Sequence, residues 1–133
     1  MLVRPAPARR QVLSVLARPW GRGRTGVRRD TSAPDEQDRP LFLVVTIRPR
    51  KDRLAEAEAQ LQSMRRNTLT EPGCVFMHLV QPQDDPDSWV MLEMFRSRAA
   101  WDEHMRQPYN TEGNVLLEDR LREPSELRLF DEK

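Results

Sequence analysis

Two ionisable side chains in the second half of the chain have the residue types and spacing of an acid–base pair. Glu93 lies within an apolar run, and His104 follows in a segment with helical spacing. Strand alternation puts Glu93 on one face with Met91 and Phe95, so burial should raise the pKa of its carboxyl unless a donor compensates. His104 would be that donor if its helix packs on this face, and a carboxylate-oriented imidazole is a competent general base. The pair is therefore either catalytic or a structural hydrogen bond between helix and sheet.

Large apolar side chains cluster around this pair in the sequence. They are first of all candidates for the core, but some of them would also line a flat apolar pocket suited to an aromatic ligand. The candidates for substrate contact are Trp89, Met91, Phe95, Trp101 and Tyr109.

The single cysteine and the second histidine of the chain give weaker signals. Cys74 has no CxxC partner, so a small buried residue is favoured over a nucleophile. His78 lies on the strand face opposite Met77, where a satisfied or interface histidine is favoured over a catalytic one. No metal-ligand spacing is present, so no built-in metal site is expected. A Gly-rich phosphate loop and a nucleotide fingerprint are also missing from the sequence, and we expect no cofactor.

The elements that must position these residues follow from the apolar periodicity after residue 40. The predicted strands span 41–47, 74–80, 89–95 and 126–130. Helices are expected after Asp52 and after Ser97, each of which can act as an N-cap, and a third helical segment is expected over 111–121. Between the first helix and the second strand, Pro72 and Gly73 form a hinge, in which glycine supplies the positive φ that a tight reversal often needs.

The resulting order β-α-β-β-α-β is that of a ferredoxin-like α+β sandwich, with four antiparallel strands and helices on one face. The other face of the sheet is also predicted to be apolar. Its residues are Phe42, Val44, Phe76, Val80, Val90, Leu92 and Met94. A homodimer in which two such sheets pack face to face would cover this surface.

The first 40 residues differ in composition from the rest of the chain. They contain nine arginines, four acidic residues and five of the 11 prolines, whereas residues 41–133 carry 13 basic and 17 acidic residues. Few apolar residues cluster there to offset the entropy of ordering, so we expect a disordered leader over 1–40 and one domain over 41–133. The Arg-rich composition fits an unstructured tail, a mitochondrial transit peptide, or upstream sequence from a wrongly chosen start.

The leader also bears on partners and compartment. Its arginines are not interleaved with aromatic residues, so nucleic-acid binding is not expected, and no run is long enough for a membrane span. The single cysteine of the chain suits a reducing compartment. We therefore expect a cytoplasmic protein, or a mitochondrial one if the leader is a transit peptide.

Several of these segments resemble the antibiotic biosynthesis monooxygenase (ABM) domain family in their order and spacing. They are the hinge 71–74, the acidic proline-containing loop 81–88, and the runs 92–95 and 99–109. The resemblance covers about residues 41–130 and implies a dimeric α+β barrel with a pocket between each sheet and its helices. It also matches Glu93 to the family's strand glutamate and His104 to a helix histidine that faces the pocket.

The family includes cofactor-independent quinone-forming monooxygenases, haem-degrading enzymes and an isomerase of a phosphorylated sugar. The haem-degrading branch is disfavoured, because it would require an asparagine on strand one and a tryptophan in place of Phe95. We therefore expect a cofactor-independent monooxygenase acting on a small aromatic or quinol substrate. In this hypothesis His104 removes a proton, Glu93 holds the imidazole, and Phe95, Trp101 and Tyr109 hold the ring.

Two alternatives to this function stay open at the level of sequence. One is a non-catalytic, ligand-binding or stress-associated dimeric barrel. The other is an isomerase of a small hydroxy-ketone, which could use the same histidine and glutamate for proton transfer.

Overall fold

The computed structural model describes residues 4–5 and 38–133 of the chain. Within them the strands are β1 (Arg4–Pro5), β2 (Leu41–Ile47), β3 (Cys74–Val80), β4 (Trp89–Phe95) and β5 (Glu126–Asp131). The helices are α1 (Leu54–Thr68), α2 (Arg98–Met105) and α3 (Pro108–Leu117), with short 3-10 turns at Lys51–Arg53 and Glu118–Arg120. The predicted disorder of the leader falls on positions that for the most part lie outside the described residues.

The strands form one sheet in the spatial order β1-β5-β2-β4-β3. Strands β2 to β5 pair with one another in antiparallel fashion, and the two-residue β1 pairs in parallel with β5 at the edge. The predicted ferredoxin-like α+β fold is therefore confirmed. Strand β4 lies between β2 and β3, and Glu93 is paired with Leu43 on one side and Met77 on the other. This register places Glu93 in the interior of the sheet rather than at an edge.

The helix starts agree only in part with expectation. Ser97 caps α2 as predicted, because its Oγ accepts a hydrogen bond of 3.1 Å from the backbone N–H of Ala100. The prediction that Asp52 caps α1 is wrong. The Asp52 carboxylate instead accepts a hydrogen bond of 2.8 Å from the Arg50 guanidinium, and α1 begins only at Leu54.

The third helix begins earlier and ends earlier than the predicted range 111–121. It starts at Pro108, where the missing N–H of proline costs no helical hydrogen bond, and it ends at Leu117 before the 3-10 turn. Gly113, near its centre, allows a close approach to α1, since a Cβ at this position would lie 2.7 Å from the Met64 sulfur. The earlier start brings Asn110 into the helix, which matters for the cavity described below.

The core lies between the sheet and the helices. Alternate residues of β2 are buried on this face, and Met77, Met91 and Phe95 extend the core across β3 and β4. On the opposite face no element of the described chain covers the sheet, and side chains such as Phe42 and Leu92 are only half-buried there. The predicted apolar second face is thus present, whereas its burial in a homodimer stays a prediction. Within the described residues, none of the helices combines the length and the apolar character that a membrane crossing needs.

Candidate active site

The hinge between α1 and β3 is fixed by hydrogen bonds from Arg96, the residue that follows β4, to the hinge carbonyls. The carbonyl of Gly73 accepts a bond of 2.8 Å from the Arg96 N–H, and the carbonyl of Pro72 accepts one of 2.9 Å from the Arg96 guanidinium. A Cβ added to Gly73 would lie 2.5 Å from the Cβ of Ala100, so glycine is required here for close approach to α2. The expected positive φ is wrong, because no described glycine has one. This packing brings the Glu71 side chain to α2.

Glu71 is the hydrogen-bond partner of His104. The Nδ1 of His104 lies 2.8 Å from Glu71 Oε2, and the two side chains are 6% and 12% exposed. The hydroxyl of Tyr109 donates a hydrogen bond to the same oxygen. A carboxylate oxygen that accepts these bonds favours the tautomer in which Nδ1 carries the proton. His104 Nε2 is then an unprotonated nitrogen on a residue that lines the cavity described below.

The predicted hydrogen bond between Glu93 and His104 is not formed, since the imidazole Nδ1 is bonded to Glu71 instead. The sequence indicates only that Glu71 belongs to the hinge 71–74. The reversal that ends this helix also folds its own carboxylate back toward α2. One segment therefore has both an architectural role and a place in the site.

The surroundings of the Glu71 carboxylate keep the neighbouring side chains in their protonated forms. Burial raises the pKa of Tyr109 above its usual range, and the hydrogen bond to Glu71 adds to this effect. Burial, together with the charges of Glu71 and Glu93, raises the pKa of Cys74 to about 11. The thiol is therefore neutral at physiological pH, which supports the interpretation that Cys74 is not a nucleophile.

A cavity of about 80 Å³ lies between the sheet and the helices, and His104 forms part of its wall. The wall is mainly apolar. Its residues are Leu43, Val45, Ile47, Leu61, Met64, Thr68, Met77, Met91, Glu93, Trp101, His104, Met105, Asn110, Asn114, Leu117 and Leu127. A cavity of about 150 Å³ can hold benzene, so this smaller one takes a one-ring ligand only if side chains move, and larger ligands are disfavoured further.

Glu93 projects from β4 to this cavity and is only 6% exposed. No described residue forms a hydrogen bond or ion pair with its carboxyl. Burial, with a smaller contribution from the charge of Glu71, raises the pKa of Glu93 to about 8. The side chain is therefore mainly a neutral carboxylic acid at pH 7, able to donate a hydrogen bond.

The structure brings together some of the predicted site residues and separates others. Met91, Glu93, Trp101 and His104 line the cavity. The other three candidates for substrate contact, Trp89, Phe95 and Tyr109, are not part of its wall, and their contact with a substrate stays a prediction. They have other contacts in the fold.

Two of these three side chains contact the site from outside, and the third packs against the core. Phe95 is fully buried, with its ring centre 5.0 Å from that of His104, so it supports the imidazole. Tyr109 binds Glu71, and Trp89 packs against the core.

Three polar residues at or next to the cavity were missed at the level of sequence. Glu71 carried no signal beyond its place before a proline. Asn110 and Asn114 are four positions apart in α3, a spacing that puts both on one helix face, and they share a hydrogen bond of 3.4 Å. That spacing could have identified them, had the helix been predicted from its true start. Across the described residues, no group of three or more histidine, cysteine or acidic side chains has a metal-binding arrangement.

Comparison with known proteins connects this geometry to a family. A family model described as antibiotic biosynthesis monooxygenase matches residues 40–113. An uncharacterized protein of Synechocystis sp. is 28% identical over 93 residues, which are 70% of this chain and 63% of that protein. The chain therefore spans less than two thirds of the Synechocystis protein.

A protein of Mycobacterium tuberculosis that is provisionally named a monooxygenase is 29% identical over 85 residues, covering 64% of this chain and 83% of its own length. Its solved structure superposes with a TM-score of 0.67 at 26% identity, over 71% of this chain and 95% of the other. A conserved protein from Methanosarcina mazei superposes with a TM-score of 0.69 at 22% identity, over 74% and 97% of the two chains. The latter likeness shows the fold alone.

Proposed function

Since the chain belongs to the antibiotic biosynthesis monooxygenase family, we propose that it is a cofactor-independent monooxygenase that oxidises a small phenol or hydroquinone. The observation that carries this proposal is the buried His104, whose Nδ1 is 2.8 Å from the Glu71 carboxylate. With Nδ1 engaged in this way, Nε2 is left to accept a proton from a ligand in the cavity. A base, a dry cavity and a fixed orientation are what an oxygen-reactive phenol requires from a protein.

In the proposed reaction, His104 removes the proton from an aromatic hydroxyl, and Glu71 stabilises the imidazolium that forms. The electron-rich phenolate then supplies electrons to dioxygen. One oxygen atom becomes a second carbonyl on the ring, and the other leaves as water. A phenol and dioxygen thus give a quinone and water, without an external reductant. The apolar wall excludes bulk water, which would otherwise compete for the anion.

The size of the cavity restricts the substrate. With about 80 Å³ of free space, side chains must already move to admit one ring, so we propose a compound with one ring and small substituents rather than a polycyclic quinol. Asn110 and Asn114 lie on the helix side of the cavity and Trp101 is the aromatic residue of its wall, so these side chains are the proposed contacts for the ring.

Oxygen uptake tests the proposal. A panel of one-ring phenols and hydroquinones is supplied to wild type, His104→Ala and Glu103→Ala, with spontaneous oxidation subtracted. Glu103 is an exposed neighbour on the same helix and serves as the matched control. We expect uptake by wild type and Glu103→Ala, and a loss of about 10²-fold or more in His104→Ala, as for removal of a general base. Equal rates near background in all three would refute the monooxygenase.

The same panel separates the alternative functions. Turnover of a small hydroxy-ketone under strict anaerobiosis would identify an isomerase, which needs proton transfer but no oxygen. Saturable binding without turnover in either experiment would identify a non-catalytic binding protein.

We also propose that the chain forms a homodimer through the open face of its sheet. The half-buried Phe42 and Phe76 have their ring centres 6.5 Å apart there, on a surface that no described element covers. Leu92 lies on this same face, on β4. Sedimentation is expected to give a dimer for wild type and a monomer for Leu92→Glu, because a charge at the centre of an apolar interface is strongly disfavoured. A monomeric wild type would overturn this proposal.

A further inference from the structure

Glu93 is the ionisable residue of the cavity wall for which the proposed reaction has no use. His104, the other one, has its partner in Glu71. The sheet offers Glu93 no donor, because its paired neighbours are Leu43 and Met77 and its own strand places Met91 and Phe95 on the same face. A carboxyl that is 6% exposed and has no partner among the described residues is costly to bury unless a ligand completes it.

The other polar groups of the cavity wall are already bonded to neighbours. The Thr68 hydroxyl donates to the Met64 carbonyl at 2.7 Å. Asn114 Nδ2 donates to Asn110 Oδ1 at 3.4 Å, and Asn110 Nδ2 lies 3.7 Å from the sulfur of Met105. None of the described residues that form the wall is a lysine or arginine. A ligand therefore meets an acceptor at His104 and, at Glu93, a donor that has no partner among the described residues.

We propose that Glu93, as a carboxylic acid, donates a hydrogen bond to an oxygen of the bound ligand and so determines which ligands the cavity selects. The selected class is small, uncharged ring compounds with a hydroxyl for His104 and a separate acceptor oxygen for Glu93. The identity of the ligand class rests on the proposed function, whereas the role of Glu93 as a donor can be measured without any turnover.

The titratable groups around Glu93 come from the hinge and from three elements. They are Glu71 of the hinge, Cys74 on β3, His104 on α2 and Tyr109 on α3. Burial raises the pKa of Cys74 to about 11 and that of Tyr109 above its usual range, so neither ionises between pH 6 and 9. Ionisation of Glu93 would weaken ligand binding on the alkaline side, because the donor is lost and a second negative charge appears near Glu71.

Ligand binding under nitrogen tests this role directly. Calorimetry follows the binding of 4-hydroxybenzyl alcohol and related one-ring phenols between pH 6 and 9. Since the pKa of Glu93 is about 8, the dissociation constant of wild type should rise about tenfold from pH 7 to pH 9. Glu93→Gln keeps an N–H donor, so its binding should be within about threefold of wild type at pH 7 and should not change between pH 7 and pH 9.

Two more variants complete the series. Glu93→Met has a similar volume but no donor, and it should bind about three- to tenfold more weakly than wild type at pH 7. Glu103→Gln removes an exposed carboxyl from α2 and should keep the full tenfold pH response. A wild type without pH response, a response that persists in Glu93→Gln, or no saturable binding by any compound of the panel would each overturn the proposal.

Infrared spectroscopy of wild type and Glu93→Gln gives a second readout that does not depend on affinity. A protonated carboxyl has a carbonyl stretching band that is distinct from the bands of carboxylates. At pH 7 this band should be present, should be missing from Glu93→Gln, and should move to lower frequency when the ligand binds. A band that the ligand leaves unmoved would refute the hydrogen bond.

These experiments can refute the role of Glu93 without refuting the monooxygenase proposal, and the reverse also holds. No oxygen is present in them, so a protein without oxygenase activity can still show the pH-dependent binding. Conversely, oxygen uptake that continues with pH-independent binding would refute only the role of Glu93.

Discussion

Two glutamates near the same imidazole differ in nearly every respect that matters for chemistry. Glu71, on the hinge, accepts hydrogen bonds from His104 and Tyr109. Glu93, on β4, has no partner among the described residues and is surrounded by apolar side chains. Donors stabilise a carboxylate and apolar burial stabilises a carboxylic acid, so the first serves as an anion and the second as an acid.

The comparison shows that position in the fold, rather than residue type, assigns the roles. Strand alternation buries Glu93, but it supplies only the side chains of its own strand and of the two neighbouring strands. The hinge is free of that constraint and can place its carboxylate against two helices. In our proposal, two identical side chains therefore serve as an acid at the cavity and as a base-orienting carboxylate beside it.

The largest effect is expected from Glu71→Gln. The glutamine has no negative charge to stabilise the imidazolium, and its amide does not fix the tautomer of His104. The kcat/KM for the phenol substrate should therefore fall about 10²-fold or more. Steady-state oxygen uptake measures this change, and Glu112→Gln, an exposed position on α3, is the matched control. If Glu71→Gln retained full activity, the hinge carboxylate would be structural only.

Replacement of Glu93 should change the pH dependence of stability. The pKa of Glu93 rises from 4.5 to about 8 on folding, so the folded state holds its proton more tightly than the unfolded state. This contribution is fully present below about pH 4.5 and is lost as pH rises to about 8, at up to ~1.4 kcal/mol per pH unit.

Urea denaturation at several pH values tests this contribution. Between pH 5 and 8, the free energy of unfolding of wild type should fall relative to that of Glu93→Gln by on the order of 3 kcal/mol. Parallel pH profiles for the two proteins would show that Glu93 is ionised in the folded state. Glu103→Gln, which removes an exposed carboxyl, should remain parallel to wild type.

A methyl group on the hinge should be more harmful than one on α3. In Gly73→Ala the new Cβ would meet the Ala100 Cβ at 2.5 Å, and neither atom can move without its backbone. We expect a loss of about 1–3 kcal/mol in the free energy of unfolding, as for other overpacked sites, together with reduced activity. Thermal denaturation and oxygen uptake measure the two effects.

The chain supplies its own control and rescue for this prediction. In Gly113→Ala the new Cβ would meet the flexible side chain of Met64 at 2.7 Å, and the gain in helix propensity offsets part of the cost. That variant should lose less stability than Gly73→Ala. The double variant Gly73→Ala/Ala100→Gly should recover stability. If it does not, the clash with the Ala100 Cβ is not the reason that glycine is needed at position 73.

The smallest effect is expected from Tyr109→Phe. It removes one of the hydrogen bonds to Glu71 but leaves the bond from His104 in place, so the cost should be about 1 kcal/mol, or about fivefold in kcat/KM. A loss as large as that of Glu71→Gln would mean that Tyr109 itself contacts the substrate. If activity were unchanged, the hydrogen bond from His104 to Glu71 would be sufficient for function without the one from Tyr109.

Much of the fold was predictable because it depends on periodicity. The predicted ranges 41–47, 74–80 and 89–95 coincide with strands of the structure, and alternation correctly placed Glu93 on the buried face. Strand alternation predicts which face of the sheet a side chain lies on, but not whether that side chain reaches the cavity or is buried beneath its wall. Phe95 was thus predicted to touch substrate, although it is fully buried against His104.

The site was less predictable because its defining contact is not local. Glu71 and His104 are 33 positions apart, and their meeting depends on how closely the hinge approaches α2. A sequence pattern identifies the helix stop at Pro72 but not the direction in which the preceding side chain points. Glu93 lies in a strand whose alternation is easy to recognise, so the sequence predicts Glu93 as the partner of His104. The actual partner is Glu71.

The nitrogen NMR spectrum of the His104 imidazole tests the central claim most directly. Labelled wild type, Glu71→Ala and Glu93→Gln are compared at a pH at which the imidazole is neutral. The account predicts a protonated, strongly hydrogen-bonded Nδ1 in wild type and in Glu93→Gln, and the loss of this signal in Glu71→Ala. The opposite pattern, with the signal lost in Glu93→Gln and kept in Glu71→Ala, would contradict it.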